Sequence, residues 1–498
     1  MESGLAARNG GRIGLAALVA VLLLGLGLRV GEAWDGRAPV YDARAYAAIA
    51  KNLSEGEGFT VGPGATQPSS NYSPGLPLFV AGLYEATGGL HERLARVVLA
   101  GIGALSVLFA YLIGRRLMRP LPSRPRSSEV GLTGVGSGAS SGKTQRPLKN
   151  APYRGTNAAN AEFWPPLLGA LVVAVYPALV EYQGMLMSEP LAATLLSGGV
   201  LAVLWAWDGG RARWMLPGAL FGALALTRPE YLGIAVLVAL VIAARELPRD
   251  WRASLLRAAV FLAAALVVIA PWTIRNAAAL DRFVPISTGG GQVLFAGTYL
   301  PSDGDPEKVG AEVVAEHPDL FSPRDAQRLR LEQILARLAA QGYPGTETDQ
   351  ALSTMGKKQL WDDITDEPLE YAGFVTTKVG RIWSHGPRDV MREPVWAVLH
   401  WLLVALGLLG LVLLAWRRRW EALLLGTIFL AITAISALLV ASPRRVLVFV
   451  PLLAPLAAAT LAYLAGQMGS ASGGRLTKPG RLPVALPTPD TPDSLGAP

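Results

Sequence analysis

VWAVLHWLLVALGLLGLVLLAW fills positions 395–416, and Arg417-Arg418-Arg419 follows it directly. The run holds no Asp, Glu, Lys or Arg, and it is long enough to cross the roughly 30 Å hydrocarbon core of a bilayer as a helix. Similar apolar runs recur along the chain at Ile13–Leu28, Val97–Gly114, Trp164–Val180, Pro190–Trp207, Trp214–Thr227, Tyr231–Ala244, Ala258–Ile274 and Ala422–Pro443, with a last one starting at Val446. Most reach the roughly 17–25 residues of a spanning helix. Trp214–Thr227 and Tyr231–Ala244 are the short pair. They read either as tilted spans meeting at a polar break or as one re-entrant hairpin. The expected fold class is an all-α polytopic membrane protein of about ten spans.

The composition agrees. Hydrophobic residues make up 51% of the 498 and charged residues only 16%, less charge than a soluble globule carries. The chain has no cysteine, which excludes disulfides, thiolate metal sites and cysteine nucleophiles. A net charge of +8 would suit nucleic acid, but its placement argues against such a partner. Nine Lys/Arg face two Glu between Arg115 and Phe163, and four Arg face two acids between Arg245 and Arg257. Together with Arg417–Arg419 these lie in loops that alternation assigns to one side. That is the positive-inside pattern, and it suits an anionic cytoplasmic leaflet.

Orientation and domains follow from this pattern. Residues 1–30 form a cytoplasmic N-terminus and an uncleaved first span, and 31–96 an outside loop with seven acids against five bases. The second span is 97–117. A cytoplasmic insert at 118–162, rich in Gly, Ser, Pro and Arg, reads as a disordered linker. Its Gly-Lys-Thr at 142–144 misses the P-loop spacing. Spans three to seven cover 163–274. A small outside soluble domain at 275–394 carries 18 acids against 13 bases and has helical stretches such as Asp325–Ala340 and Thr354–Ile364. The last three spans occupy 395–468, and 469–498 forms a disordered cytoplasmic tail.

Charges at the outer ends of spans are the candidate functional residues, because burial in a bilayer is costly unless a partner or a task offsets it. Asp42 lies in Tyr41-Asp42-Ala43-Arg44-Ala45-Tyr46, under a Gly/Pro-shaped loop. It reads as a general base or as a helix cap. Glu189, in Ser188-Glu189-Pro190, suits a helix N-terminus. In Thr227-Arg228-Pro229-Glu230, Arg228 and Glu230 either neutralise each other or leave the guanidinium to bind a phosphate. Arg275 closes Pro271-Trp272-Thr273-Ile274-Arg275-Asn276. Arg444 and Arg445 join the last two spans on the outside, against the positive-inside rule. They read as anion ligands or as snorkelling side chains. Such an inventory suits a reaction at a lipid phosphate. Cations would hold the leaving charge and a carboxylate would take the acceptor's proton.

Four segments carry a resemblance. They are Asp42-x-x-x-Tyr46 with Asn52-Leu53 and Gly56-x-Gly58-Phe59, then Tyr72-Ser73-Pro74-Gly75-Leu76-Pro77, then Leu226-Thr227-Arg228-Pro229, and finally Pro271–Asn276 with Phe283–Gly290 behind it. In order and spacing, with the closing Pro443-Arg444-Arg445-Val446, the chain resembles the C-type glycosyltransferases. The similar branch is that of the dolichyl-phosphate-mannose–protein mannosyltransferases and the aminoarabinose transferases. The resemblance implies an inverting enzyme at the outer face of the cytoplasmic membrane. Its donor would be a polyprenyl-phosphate sugar and its acceptor a protein, lipid or polysaccharide. Asp42 falls where the family's base is expected. Relatives often have Asp-Glu there and this chain has Asp42-Ala43, so Glu189 is the candidate second acid. Arg228, Arg275, Arg444 and Arg445 are expected to hold the donor phosphate. Tyr46, Tyr72 and Glu230 are expected to shape the loop or meet the acceptor. Some relatives use a divalent metal. His91, His317, His385 and His400 form no ligand spacing, so a metal would need carboxylates. The competing readings are a polymerase or ligase using a lipid-linked oligosaccharide, and a transporter.

Overall fold

A computed structural model of the chain describes residues 2–37, 42–62, 68–119, 157–247, 250–384 and 386–473. Most of the 118–162 insert and the tail beyond 473 lie outside the described residues. The described residues fold into helices joined by turns, with no strand among them. The first half comprises α1 (Glu2–Asp35), α2 (Asp42–Ser54), α3 (Gly75–Thr87), α4 (Glu92–Leu117), α5 (Asn157–Val175), α6 (Pro177–Glu181), α7 (Ser188–Ala206), α8 (Met215–Thr227), α9 (Tyr231–Glu246) and α10 (Trp251–Leu280). An outer group follows: α11 (Gly290–Thr298), α12 (Val309–Glu316), α13 (Asp325–Arg328), α14 (Leu331–Gly342), α15 (Thr348–Asp366) and α16 (Pro368–Ser384). The chain then returns through α17 (Pro394–Trp416), α18 (Trp420–Leu438), α19 (Arg444–Leu447) and α20 (Val450–Gly473).

Each apolar run of the sequence is mostly helical. Among the described residues seven helices are long and apolar enough to cross a membrane: α1, α4, α7, α10, α17, α18 and α20. The third run, Trp164–Val180, is not one straight helix. It bends by 52° between α5 and α6. Tyr176 precedes Pro177 and takes an extended conformation, because the proline ring disfavours helical backbone in the residue before it. The freed carbonyls at the end of α5 are met by Arg29. This arginine is fully buried and donates from Nη2 to the Val173 carbonyl at 2.8 Å and from Nη1 to that of Ala174 at 3.0 Å. A cation there complements the negative end of the helix dipole.

Glycines fix the register of the short pair. Gly218 faces Phe261 and Gly222 faces Ala265, where a Cβ on Gly222 would lie 2.7 Å from the Ala265 carbonyl oxygen. This is close small-x-x-x-small packing, and its order makes α8 parallel to α10. Helix α9, between them in sequence, must run back. The α8–α9 pair is therefore a hairpin whose turn, Arg228-Pro229-Glu230, stands level with Pro271. That is one helical turn, about 6 Å, short of Arg275.

The outer helices have their own core of Phe295, Tyr299, Val309, Val313, Phe321, Ile334, Leu335 and Leu352. The Asp349 carboxylate accepts the Gly291 N–H at 2.7 Å and satisfies the start of α11. The link back to the bundle is built by α10. Trp272 Nε1 donates to the Ile286 carbonyl, Thr273 Oγ1 to that of Pro285 and Asn276 Nδ2 to those of Val284 and Ile286. These bonds explain why Trp272, Thr273 and Asn276 stand together in the fourth segment: they clamp the irregular 283–288 stretch.

Candidate active site

The first loop is shaped by its own polar residues. Asp42 opens α2, where a carboxylate suits the positive helix end, and Ala43, Tyr46, Ile49 and Ala50 form the buried face. Asn52 Nδ2 donates to Thr60 Oγ1 at 2.8 Å. It thereby holds a turn in which Gly56 and Gly58 have φ of 79° and 77°, a conformation that favours glycine. The second turn docks on α8. A Cβ at Gly75 would lie 2.6 Å from Thr227 Oγ1, so only glycine admits this approach. Tyr46 packs edge-on against Tyr72, with centroids 5.8 Å apart. Burial, with the nearby Asp42 and Glu189 charges, pushes the Tyr46 hydroxyl well above its ordinary range. Burial also pushes Tyr72 up to about 12, with help from Glu332 of the outer domain. Both hydroxyls are neutral donors at physiological pH.

Six of the sequence-derived residues meet in one chain of alternating charge. Arg444 Nη2 lies 3.0 Å from Asp42 Oδ2 and its Nε 3.6 Å from Glu189 Oε1. Arg228 Nη1 reaches the same Glu189 oxygen at 3.4 Å, and its Nε donates to Glu230 Oε1 at 2.9 Å. Arg445 Nε ends the series 4.0 Å from Glu230 Oε1. Local sequence places each member. Arg228 precedes Pro229, is extended at φ −147° and ψ 107°, and so stops α8. Glu189 sits in the first turn of α7. The Ser442-Pro443 turn brings both terminal arginines over them.

Burial grades along this chain. The Asp42 side chain is 38% exposed and that of Arg444 34%. Glu189 is 1% exposed, and its Oε2 has no hydrogen-bond partner. Arg445 is buried and donates from Nη1 to Ser436 Oγ at 3.1 Å and to the Val440 carbonyl at 2.5 Å. The open end is therefore Asp42 and Arg444.

Arg275 stands apart. Its Nη1 donates to the Ser69 carbonyl and to Asn276 Oδ1, both at 3.0 Å, and the guanidinium lies 4.9 Å from the Trp272 ring and 5.5 Å from Phe59. It caps an apolar cavity of about 470 Å³ lined by Leu53, Phe59, Leu78, Leu226 and Trp272. A second ion cluster went unseen in the sequence. Glu181 Oε1 accepts from Arg37 Nη1 and Arg388 Nη2, both at 2.8 Å, with Arg388 5.9 Å from the Tyr182 ring. Arg37, Glu181 and Arg388 are far apart in sequence and share no local pattern. The only signal was Glu181 near the end of an apolar run.

The donor set does not fit a divalent metal. Arg444 occupies the place between Asp42 and Glu189 where a shared cation would sit. No group of three or more His, Asp or Glu among the described residues could hold an ion.

No protein-family model matches the chain, and no curated protein does. Solved structures do. The oligosaccharyltransferase AglB from Archaeoglobus fulgidus, in complex with an inhibitory peptide and a dolichol-phosphate, superposes with a TM-score of 0.52 at 15% identity. The match covers 94% of this chain and 52% of AglB, so the chain spans about half the length of that protein. ArnT from Cupriavidus metallidurans, bound to undecaprenyl phosphate, aligns over 93% of this chain and 80% of its own at 15% identity, with a TM-score of 0.35. The shared feature is the fold. This is an all-α, multi-pass membrane protein, the fold class that the sequence implied, and its fold is similar to that of AglB.

Proposed function

We propose that the chain is an integral-membrane glycosyltransferase. It would move a sugar from a polyprenyl-phosphate donor to an acceptor at the outer face of the cytoplasmic membrane. The observation that supports this reading best is the graded charge chain, which presents one carboxylate and one arginine together at its open end. The fold is that of a protein solved with a dolichol-phosphate, which fits a lipid-phosphate donor.

In this reading the acceptor's oxygen or nitrogen attacks the anomeric carbon as the bond from that carbon to the phosphate oxygen breaks. The electron pair leaves with the phosphate, and the acceptor's proton passes to Asp42. Attack opposite the leaving group inverts the centre. Arg444 and Arg228 take up the charge that develops on the phosphate. In the resting site Arg444 is held by Asp42, so donor binding exchanges one anion for another on this guanidinium. That exchange releases the Asp42 carboxylate to act as base only when a donor is present. Glu189 positions both arginines, since Oε1 lies within 3.6 Å of each.

Asp42→Asn keeps the shape and removes the basicity. Transfer by the purified protein is expected to fall by about 10²-fold or more, with donor binding retained. Near-normal turnover in the Asn variant would leave Asp42 a structural residue. The related reading, transfer of a whole lipid-linked oligosaccharide, draws on the likeness to an oligosaccharyltransferase fold. The mass of the transferred glycan separates the two.

A further inference from the structure

The opposite end of the bundle holds a second cavity. An apolar groove of about 670 Å³ runs between α4, α7 and α8, floored by Leu105, Phe109, Leu201 and Leu220. Gly198 opens it, because a Cβ there would lie 3.0 Å from the Phe109 ring. From Ile102 to Arg116 the groove follows α4 for about 20 Å. Its far end changes character. Arg115, Arg116 and Arg119 line it there against a single acid, Asp208. Arg116 is neutralised by Asp208 through contacts of 2.5 Å and 2.9 Å. Arg115 and Arg119 are exposed, and Asp208 is the one acid among the described residues that line the groove.

We propose that this groove is a binding site for an anionic glycerophospholipid. The headgroup phosphate sits on Arg115 and Arg119, and one acyl chain lies along the groove. The wall of a spanning bundle meets hydrocarbon, so an apolar channel along it takes a lipid tail rather than water. Three guanidinium groups against one carboxylate leave this end net positive, which selects a negative headgroup, as basic pockets between spanning helices do at the cytoplasmic side. Trp205, also lining the groove, stacks 4.5 Å from Arg213, an aromatic and a cation at interface level. The groove lies along α7, whose other end carries Glu189, so a seated tail packs the helix that positions the two outer arginines. The site does not depend on the proposed chemistry at Asp42.

The test is native mass spectrometry of the full chain, exchanged into detergent with dioleoyl phosphatidylglycerol or dioleoyl phosphatidylcholine. Phosphatidylglycerol is expected to be retained roughly tenfold better at low salt, given two basic contacts. The Arg115→Gln/Arg119→Gln double variant is expected to abolish that preference while it still binds both lipids weakly. Leu105→Trp, which narrows the groove and keeps the arginines, is expected to weaken retention of both. Equal retention of the two lipids by the natural chain would overturn the proposal. So would an unchanged preference in the double variant. Displacement of phosphatidylglycerol by equimolar undecaprenyl phosphate would reassign the groove to the carrier lipid and overturn it as well.

Discussion

Arg444 and Arg445 are neighbours in sequence and do opposite things with the same guanidinium. Arg444 faces the partly open end of the site, shares its two contacts between Asp42 and Glu189, and keeps a third of its side chain exposed. Arg445 turns inward, where Glu230, Ser436 Oγ and the Val440 carbonyl surround it. Exposed ion pairs are worth about 0–1 kcal/mol, because water competes for both partners. A buried pair that loses one member leaves an uncompensated charge at a cost of about 3–5 kcal/mol. One charge chain therefore has a fixed end and an exchangeable end. A phosphate can take Arg444 from Asp42 at little cost, whereas taking Arg445 from Glu230 would undo the fold around it.

The largest expected effect breaks the fixed end. Glu230→Gln removes the shared partner of Arg228 and Arg445, and a loss of about 3–5 kcal/mol is expected. Thermal unfolding of the detergent-solubilised protein, followed by size-exclusion, measures it. A melting temperature equal to that of the natural chain would mean that water reaches this end and that the grading of burial does not matter.

Arg444→Gln sharpens the contrast from the other side. Stability should fall by less than in Glu230→Gln, because Asp42 is partly exposed and Glu189 keeps Arg228 as a partner. Binding of a polyprenyl-phosphate analogue should weaken by about 1.5–3 kcal/mol, the usual size of a charge-assisted contact. Arg444→Lys should recover little of this, since one ammonium cannot match a guanidinium that presents Nε to Glu189 and Nη2 to Asp42. If Arg445→Gln lowers donor affinity just as much while leaving stability intact, the two ends are equivalent and the assignment of roles fails.

How far this could be read in advance depended on the kind of signal. The apolar runs mapped onto helices because bilayer length and hydropathy leave little choice over stretches such as 395–416. The members of the charge chain were legible because Glu189, Arg228, Glu230, Arg444 and Arg445 stand at the ends of apolar runs and Asp42 in the loop after the first, where an ionised group is conspicuous. Pairings were not legible. Periodicity does not reveal that Arg444 lies between two acids, or that Arg275 turns to the Ser69 carbonyl and the Trp272 ring instead of joining them. The run Trp164–Val180 hid its break because Tyr176 and Pro177 are both compatible with an apolar segment. Arg29 looked like the edge of the first span, yet it is a buried cap on α5. Lys378, a cation of the 275–394 stretch, is enclosed.

Lys378 tests the fixed end from the domain side, through pH. The amine is 1% exposed, donates to the Gly297 carbonyl at 2.5 Å and lies 4.9 Å from the Phe374 ring. Burial, and then the charge of Arg445, lowers its pKa to about 7. The ordinary value is near 10.5, so between pH 7 and 10.5 the unfolded chain binds a proton that the folded chain does not. Stability must rise with pH across that window, and below pH 7 the cost of enclosing the ammonium is fully present. The cost falls gradually across that window and is gone only near pH 10.5, so it is almost whole at neutrality. Lys378→Met removes the titrating group and keeps the apolar length. It is expected to raise the melting temperature at pH 6 and to flatten its climb between pH 7 and 9. An identical climb in the variant would mean that another group drives it. Lys378 would then be charged in the fold, with an anion beside Arg445 to hold it.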